Sequence, residues 1–177
     1  MNLSNELRMT VYASLMSALI AAGAFIAIPI GPVPIVLQNF FVLLSGILLG
    51  SRWGLASVGV YLIAGALGLP VFAGGTGGIG RIAGPTGGYL LGYLPAVYFT
   101  GLISEKLGAR KVFDLLALVV GTAIVYVCGV PWLKMVTGMT AEKALMFGLY
   151  PFLVGDVLKI IAVIPVAKVI RPLILTK

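Results

Sequence analysis

Asp156 and Lys159 are the two residues of this sequence whose types and spacing point most directly to chemistry. They stand three positions apart in the apolar stretch FLVGDVLKIIAV, so in a helix they share one face. An ionisable side chain inside an apolar span is unfavourable to bury and by default indicates a functional site. The alternative is a self-neutralising structural pair, although packed apolar side chains would stabilise such a helix equally well. We expect both charges to border a cavity that receives a polar ligand.

A glycine-rich stretch, residues 71–89 (VFAGGTGGIGRIAGPTGGY), is the second feature that could bind a ligand. Eight of its residues are glycine, among them Gly75 and Gly77, which leave backbone N–H and C=O groups uncovered by side chains. Its polar side chains include one cation and two hydroxyls, on Arg81, Thr86 and Tyr89. A flexible connector is the alternative interpretation. We expect this loop to fold over a small polar ligand and to close the mouth of its cavity.

The motif GTGGIG at 75–80 matches the G-x-G-x-x-G pattern of dinucleotide-binding folds, but the match is weak. That fingerprint requires a preceding strand, a helix that opens on it and an acid about 20 residues later, whereas the next acid here is Glu105. A P-loop is excluded as well, because no lysine follows a glycine at the required place. The chain therefore carries no motif with which it could hydrolyse ATP.

Catalytic and metal-binding classes find little support in the sequence. The chain has no histidine and a single cysteine, Cys128, which removes most zinc sites and most nucleophile–base pairs. An intramembrane aspartyl protease would need two acids within the membrane, and we count only Asp156 there. A channel would show a polar stripe along a span, and none is present. We expect no catalytic residue, no metal and no cofactor.

Gln38 and Asn39 are adjacent amides at the end of the proline-stiffened stretch IPIGPVPIVLQNF. An amide side chain donates and accepts hydrogen bonds at once, which suits a neutral heterocyclic ligand. The alternative is that these residues cap the start of the following helix. Both residues are therefore candidate ligand contacts near the same end of the molecule as the glycine-rich stretch.

The composition indicates an integral membrane protein. Of the 177 residues, 60% are hydrophobic and 10% are charged, whereas a soluble domain carries about 25% charged residues. We expect a single all-α polytopic domain over residues 1–177, with a long glycine-rich loop between its third and fourth helices. Its six apolar segments are 9–30, 35–49, 55–67, 87–107, 113–130 and 147–170.

The distribution of basic residues predicts the orientation of these six segments. Eight of the twelve Lys and Arg residues fall on one side, three on the other, and Lys159 lies within a span. Because cytoplasmic loops collect Lys and Arg, we expect both termini inside the cell and the glycine-rich loop outside. The net charge of +7 does not indicate nucleic-acid binding, since the bases form no stripe with interleaved aromatic residues.

The first segment carries small residues at four-residue spacing, Ser14, Ala18 and Ala22, with a second row, Ala13, Ser17 and Ala21, beside them. Small residues let helices approach closely in lipid, where no hydrophobic force drives them together. Such a face packs either within the protein's own bundle or against a partner, and the spacing alone does not choose between the two.

Three stretches, GPVPIVLQNFFVLLSGILLG (31–50), LGLPVFAGGTGGIGRIAGPTGGYLLGY (67–93) and GDVLK (155–159), resemble the BioY family. These proteins are the biotin-specific S components of energy-coupling factor (ECF) vitamin transporters, and the resemblance runs over nearly the whole chain. It implies a six-helix protein of the cytoplasmic membrane that captures biotin from outside. It also implies a transmembrane coupling subunit and two ATPase subunits as partners, and it favours Ser14, Ala18 and Ala22 as the docking face.

The resemblance assigns Asp156, Lys159 and the loop 74–89 to the biotin site, while Arg81 and Asn39 are proposed from chemistry alone. Asp156 would accept from the ureido N–H groups, and either Lys159 or Arg81 would meet the carboxylate. The alternatives are an S component for another vitamin or small carboxylate, or an intramembrane enzyme.

The charge distribution leads to a first testable expectation, which concerns topology. A reporter fused after Lys177 should read as cytoplasmic, and a cysteine placed at Thr76 should react with an impermeant thiol reagent in intact cells. Reaction at position 76 only after lysis would reverse the orientation and remove the external site.

Overall fold

The computed structural model describes residues 3–29, 31–108 and 110–175, without the side chain of Leu175. Lys177, the point of the reporter fusion, lies outside the described residues. The described chain is mostly helical, as expected, with one very short two-stranded ribbon. In order along the chain the elements are α1 (Leu3–Phe25), β1 (Ala27–Ile28), β2 (Ile35–Val36), α2 (Gln38–Ala66), α3 (Ile79–Ala83), α4 (Gly87–Leu107), α5 (Lys111–Thr137), α6 (Ala141–Gly148) and α7 (Tyr150–Leu175).

Helix α2 doubles back on itself at one residue. Gly50 has φ 76° and ψ −174°, a conformation that interrupts the helix and that glycine tolerates. A Cβ atom on Gly54 would lie only 3.2 Å from the Cα of Gly46, whereas eight residues of unbroken helix would separate them by about 12 Å. The element is therefore a helical hairpin, whose halves correspond to the predicted segments 35–49 and 55–67. The break is a single residue rather than the loop expected at 50–54.

Helices α5 and α7 continue through internal prolines. Helix α5 passes Pro131 and ends at Thr137, so the expected connection at 131–146 contains the end of α5 and most of α6. Tertiary contacts hold this part of α5 in place, because Leu133 is fully buried and the indole N–H of Trp132 donates to Gly84 O at 2.9 Å. Helix α7 likewise continues through Pro165.

The outer surface of the bundle is apolar. Large hydrophobic side chains such as Val127 of α5 and Val154 of α7 are more than 70% exposed. Helices α1, α2 and α5 are apolar enough, and as continuous elements long enough, to cross a membrane. Because α2 doubles back, each of its halves is shorter than the roughly 20 residues that a full span requires.

The glycine-rich stretch forms an ordered hairpin rather than a loose connector. Phe72 and Thr76 are joined by two backbone hydrogen bonds, Phe72 N to Thr76 O at 2.8 Å and Thr76 N to Phe72 O at 3.3 Å. Gly74 and Gly75 make the turn with φ of 76° and 67°, where other residues would be strained. The Phe72 ring is buried edge-on against Tyr61, and Gly78 N donates to Gly65 O at 2.7 Å. The end of α2 thus anchors the stretch.

Gly65 provides a test of this anchoring. A Cβ atom at Gly65 would lie 2.1 Å from the Phe72 ring, whereas one at Gly59, in the same helix, would meet nothing within 4 Å. We expect Gly65→Ala to lower the stability by about 1–3 kcal/mol through overpacking, and Gly59→Ala to be neutral or slightly stabilising. Thermal unfolding of the detergent-solubilised variants measures both effects, and equal melting temperatures would contradict the proposed anchor.

Candidate ligand-binding site

A cavity lies inside the bundle, bordered by α2, α4, α5 and α7. The ribbon and the glycine-rich hairpin contribute Val33, Pro34, Phe72 and Ala73 to its lining. Its walls are mostly apolar and aromatic, with a few polar side chains among them, which is the composition typical of a ligand pocket.

Seven of the nine ligand contacts predicted from the sequence line this cavity. They are Gln38, Asn39, Arg81, Thr86, Tyr89, Asp156 and Lys159. These residues come from α2, the glycine-rich stretch, α4 and α7, so only the tertiary structure brings them together. The two remaining residues, Gly75 and Gly77, do not belong to the lining. Gly75 forms the hairpin turn, and at Gly77 a Cβ atom would lie 2.2 Å from the carbonyl oxygen of Leu69, so both shape the wall from behind.

The carboxylate of Asp156 is the centre of a polar cluster that joins three helices. Its Oδ1 accepts from Asn39 Nδ2 at 2.9 Å and from Lys159 Nζ at 3.0 Å, and its Oδ2 accepts from the Tyr126 hydroxyl. Lys159 Nζ also donates to Asn39 Oδ1 at 2.9 Å. Asp156 is 3% exposed, so its charge is shielded from water and balanced by Lys159.

Tyr126 was missed by the sequence analysis, although it lies in the cavity and binds Asp156. The available signal was a single tyrosine in the otherwise apolar stretch AIVYVCG of the fifth segment. Its ring also packs edge-on against Tyr89 at 6.4 Å between centroids. Such a tyrosine presents an apolar body to a ligand while its hydroxyl holds the carboxylate.

Asp114 was also overlooked as a second buried acid. It lies in the first turn of α5, is 6% exposed and forms an ion pair with Arg171 of α7. Neither residue lines the cavity with Asp156. The two buried acids therefore do not form the paired carboxylates of an aspartyl protease.

Gln38 presents its side-chain amide to the cavity beside the Tyr61 hydroxyl. Its side chain is 2% exposed and borders the cavity, and within the described residues its Nε2 makes no hydrogen bond of normal geometry. The amide interacts with the buried Tyr61 hydroxyl. Because an amide has two N–H donors and one carbonyl acceptor, Gln38 retains groups that a ligand in the cavity can bind.

Arg81 is the second cation of the cavity and has a different environment from Lys159. Its Nε donates to Thr76 Oγ1 at 2.8 Å and its Nη2 to Ala73 O at 3.3 Å. Among the residues that the structure describes, no carboxylate lies within ion-pair distance of this guanidinium, whereas Lys159 contacts Asp156. Within that part of the chain, Arg81 therefore retains a positive charge that no acid balances.

The small residues of α1 separate into two faces. Ala13 and Ser17 are buried in the bundle, whereas Ser14, Ala18 and Ala22 are exposed on its outer surface. The row predicted for partner docking is thus the row that the protein's own helices leave uncovered.

These features define a helical membrane protein with an internal cavity for a small molecule that has both apolar and polar parts. The chain belongs to the BioY family, whose family model matches residues 1–176.

Curated relatives of the chain are named as biotin transporters. A probable biotin transporter BioY of Pyrococcus horikoshii is 43% identical over 155 residues, covering 88% of this chain and 91% of the relative. The biotin transporter BioY of Thermotoga maritima is 39% identical over 167 residues, covering 94% and 98%. A crystal structure of the S component for biotin from an ECF-type ABC transporter superposes with a TM-score of 0.91. It shares 32% sequence identity, and the match covers 97% of this chain and 95% of that one.

Proposed function

We propose that this protein captures biotin from outside the cell and carries it into the cytoplasm as the substrate-binding S component of an ECF transporter. The observation that carries the proposal is the cavity itself, which combines a buried Asp156 cluster, the Gln38 amide and, among the described residues, an Arg81 that contacts no acid, between aromatic walls. The protein is a transporter subunit rather than an enzyme, and biotin is its cargo rather than a cofactor.

The chemistry of biotin matches the cavity part by part. Its ureido ring has two N–H donors and one carbonyl acceptor, which suit the Asp156 carboxylate and the Gln38 amide, respectively. Its thiophane ring and valeryl chain need apolar walls, which side chains such as Leu90, Val125 and Phe152 supply. Its carboxylate needs a cation.

We assign the carboxylate to Arg81 and give Lys159 the task of holding Asp156. The ammonium of Lys159 already contacts the Asp156 carboxylate and the Asn39 carbonyl oxygen, so a second carboxylate there would lie beside a like charge. Arg81 has no acid to repel the ligand, and its planar guanidinium can bind a carboxylate through two hydrogen bonds. This assignment chooses between the two cations that the sequence left open.

Comparing biotin with its uncharged amide tests this assignment. Arg81→Gln should weaken biotin about 10- to 150-fold, because it removes a hydrogen bond to a charged group, but should weaken the amide much less. Asp156→Asn should weaken both ligands alike, because both retain the ureido ring. Isothermal titration of the purified variants gives the four dissociation constants.

Two outcomes would revise the proposal. If Lys159→Met distinguishes acid from amide and Arg81→Gln does not, the carboxylate belongs to Lys159. A panel of labelled vitamins against the wild-type protein tests the cargo itself, and selective binding of a different vitamin would make the protein an S component of other specificity.

The proposed topology has six spans with both termini in the cytoplasm. The spans are α1, the two halves of α2 on either side of Gly50, α4, α5 and α7. The orientation places the glycine-rich stretch and the ribbon outside. Thr76 is half-buried and holds Arg81, so the 72%-exposed Ile79 of the same stretch is the more accessible position for the labelling experiment.

We further propose that Ser14, Ala18 and Ala22 dock on a transmembrane coupling subunit, which two ATPase subunits energise. The proposal is supported by the exposure of this row and by its small side chains, which permit close helix contact in lipid. The apolar surface around the row needs no soluble partner to cover it, since lipid solvates it in the absence of the complex.

Bulky substitutions distinguish this docking row from its buried neighbour. Ala18→Leu combined with Ala22→Leu should leave biotin affinity and melting temperature nearly unchanged and abolish co-purification of the coupling subunit. The control, Ala13→Leu, should instead lower the melting temperature, because Ala13 is 5% exposed. Intact co-purification of the double variant would remove the docking assignment.

A further inference from the structure

The tip of the α2 hairpin leaves two backbone groups without their usual helical partners. In an unbroken helix the amide of Ser51 would donate to the carbonyl of Ile47. Here the Ser51 amide donates to Glu105 Oε1 at 3.0 Å, and the Ile47 carbonyl accepts from Arg171 Nη2 at 3.1 Å. Side chains of α4 and α7 thus satisfy the two groups that the break at Gly50 separates.

Arg171 is at the same time the centre of a buried charge network. Its Nη1 donates to Asp114 Oδ2 and its Nη2 to Asp114 Oδ1, each at 3.0 Å, in the two-pronged geometry that is strongest for this pair. Its Nη2 also donates to Ser104 Oγ at 3.1 Å, and Ser104 Oγ donates to Asp114 Oδ1 at 2.7 Å. One guanidinium therefore joins α7 to α2, α4 and α5.

The apolar packing of helix α7 between its two polar clusters is incomplete. Val163 and Ala167 are fully or almost fully buried there, whereas the larger Ile160, Ile164 and Ile170 pack against the core but stay partly exposed. Much of the remaining surface of the helix, including Val157 and Ile161, is exposed on the outside of the bundle. Because its fully buried residues are small and its larger ones only partly buried, apolar packing alone holds this helix less firmly than interlocking, fully buried large side chains would.

The two polar clusters join α7 to α2 by hydrogen bonds at two levels along the bundle axis. Lys159 donates to Asn39 of α2 at the cavity, and Arg171 donates to Ile47 of α2 at the hairpin tip. The tie points are twelve residues apart on α7, about 18 Å, and eight residues apart on α2, about 12 Å. Two separated ties define an orientation, whereas a single tie leaves a rotation free.

We propose that Arg171 is a positioning residue for the ligand site. The hydrogen bonds from its guanidinium to Asp114, Ser104 and the Ile47 carbonyl set the rotation of α7 and its position along the bundle axis. They thereby place Asp156 against Asn39 at the other end of the bundle. Glu105 completes the arrangement by holding the opposite side of the hairpin tip through Ser51. The role rests on the proposed function only where it concerns ligand affinity, since the helix placement itself needs no ligand.

The first measurement follows helix placement without any ligand. Spin labels at Val127→Cys and Val154→Cys, both exposed, report the distance between α5 and α7 in a Cys128→Ala background. The test variant is Arg171→Gln with Asp114→Asn, which removes the fork without leaving a buried charge unpaired. Its distance distribution should broaden or shift. Lys168→Gln, which removes an exposed positive charge from the same end of α7, should leave the distribution unchanged.

The second measurement is affinity, on folded protein well below its melting temperature. The Arg171→Gln, Asp114→Asn variant should bind biotin and its amide about 3- to 30-fold more weakly, by the same factor for both, because the whole cluster moves. Arg171→Lys, which keeps the charge but not the fork, should fall between this variant and the wild type. Lys168→Gln should bind like the wild type.

The results separate the possible failures. A lower melting temperature with unchanged distances and unchanged affinity would mean that Arg171 only stabilises the fold, and would overturn the proposal. If the wild-type protein does not bind biotin, the proposed function fails, whereas the distance measurement still decides whether Arg171 positions α7.

Discussion

The structure depends on one constraint, which is that a charge removed from water inside a membrane protein must be balanced by its neighbours. Asp156 meets this constraint with Lys159, Asn39 and Tyr126, which use three of the about four positions at which a carboxylate accepts hydrogen bonds. The same requirement governs Asp114, which Arg171 and Ser104 satisfy. Because each acid draws side chains from several helices, the two clusters determine which helices meet and at what height. The cavity lies beside one of them.

A second contribution comes from glycine at positions where backbone or ring atoms come too close for a side chain. At Gly88 a Cβ atom would lie 2.2 Å from Trp132, and at Gly129 it would lie 2.3 Å from the Tyr89 ring. These contacts press α4 and α5 together and fix the aromatic wall of the cavity. The glycine-rich stretch follows the same rule, since Phe72 and Thr76 form a hairpin that is anchored on α2. Glycine here permits close packing and tight turns. The glycine-rich stretch forms part of the cavity wall, and hydrogen bonds to Thr76 and Ala73 hold Arg81 in place there.

The proposed function joins these two contributions. Helices that are held by buried charges and by close glycine contacts form a pre-organised cavity, which reduces the entropy lost when a small ligand binds. Within it, the polar groups are divided between a charge-balanced cluster and a cation without an acid. This division gives a ligand with a ureido ring and a carboxylate two chemically different places to bind, joined by apolar and aromatic walls. The exposed row Ser14, Ala18 and Ala22 on α1 does not line the cavity. Such a position suits a surface that binds a partner reversibly.

Much of the site could be anticipated from the sequence because burying polar groups in an apolar chain is so unfavourable. Asp156, Lys159, Gln38 and Asn39 stand out against apolar surroundings, and all four line the cavity. The break near residue 50 was expected from the interval between the apolar segments 35–49 and 55–67, although its reduction to a single residue was not. Tyr126 and Asp114 escaped notice because a tyrosine in a span, or an acid at its edge, has many ordinary explanations until its neighbours are known.

By itself the sequence determined the membrane class, the helical architecture, the family and the polar residues that need partners. These follow from composition, from periodicity and from local motifs, which act over a few residues. Only the tertiary structure decided that Lys159 is already paired while Arg81 has no acid beside it among the described residues. It also decided that Gly75 and Gly77 lie behind the cavity wall without lining it. It also decided that Arg171 closes the tip of a hairpin 124 residues earlier in the chain. The reason is physical: the environment of a charge is set by whatever packs within a few ångströms of it, and those neighbours come from distant parts of the chain.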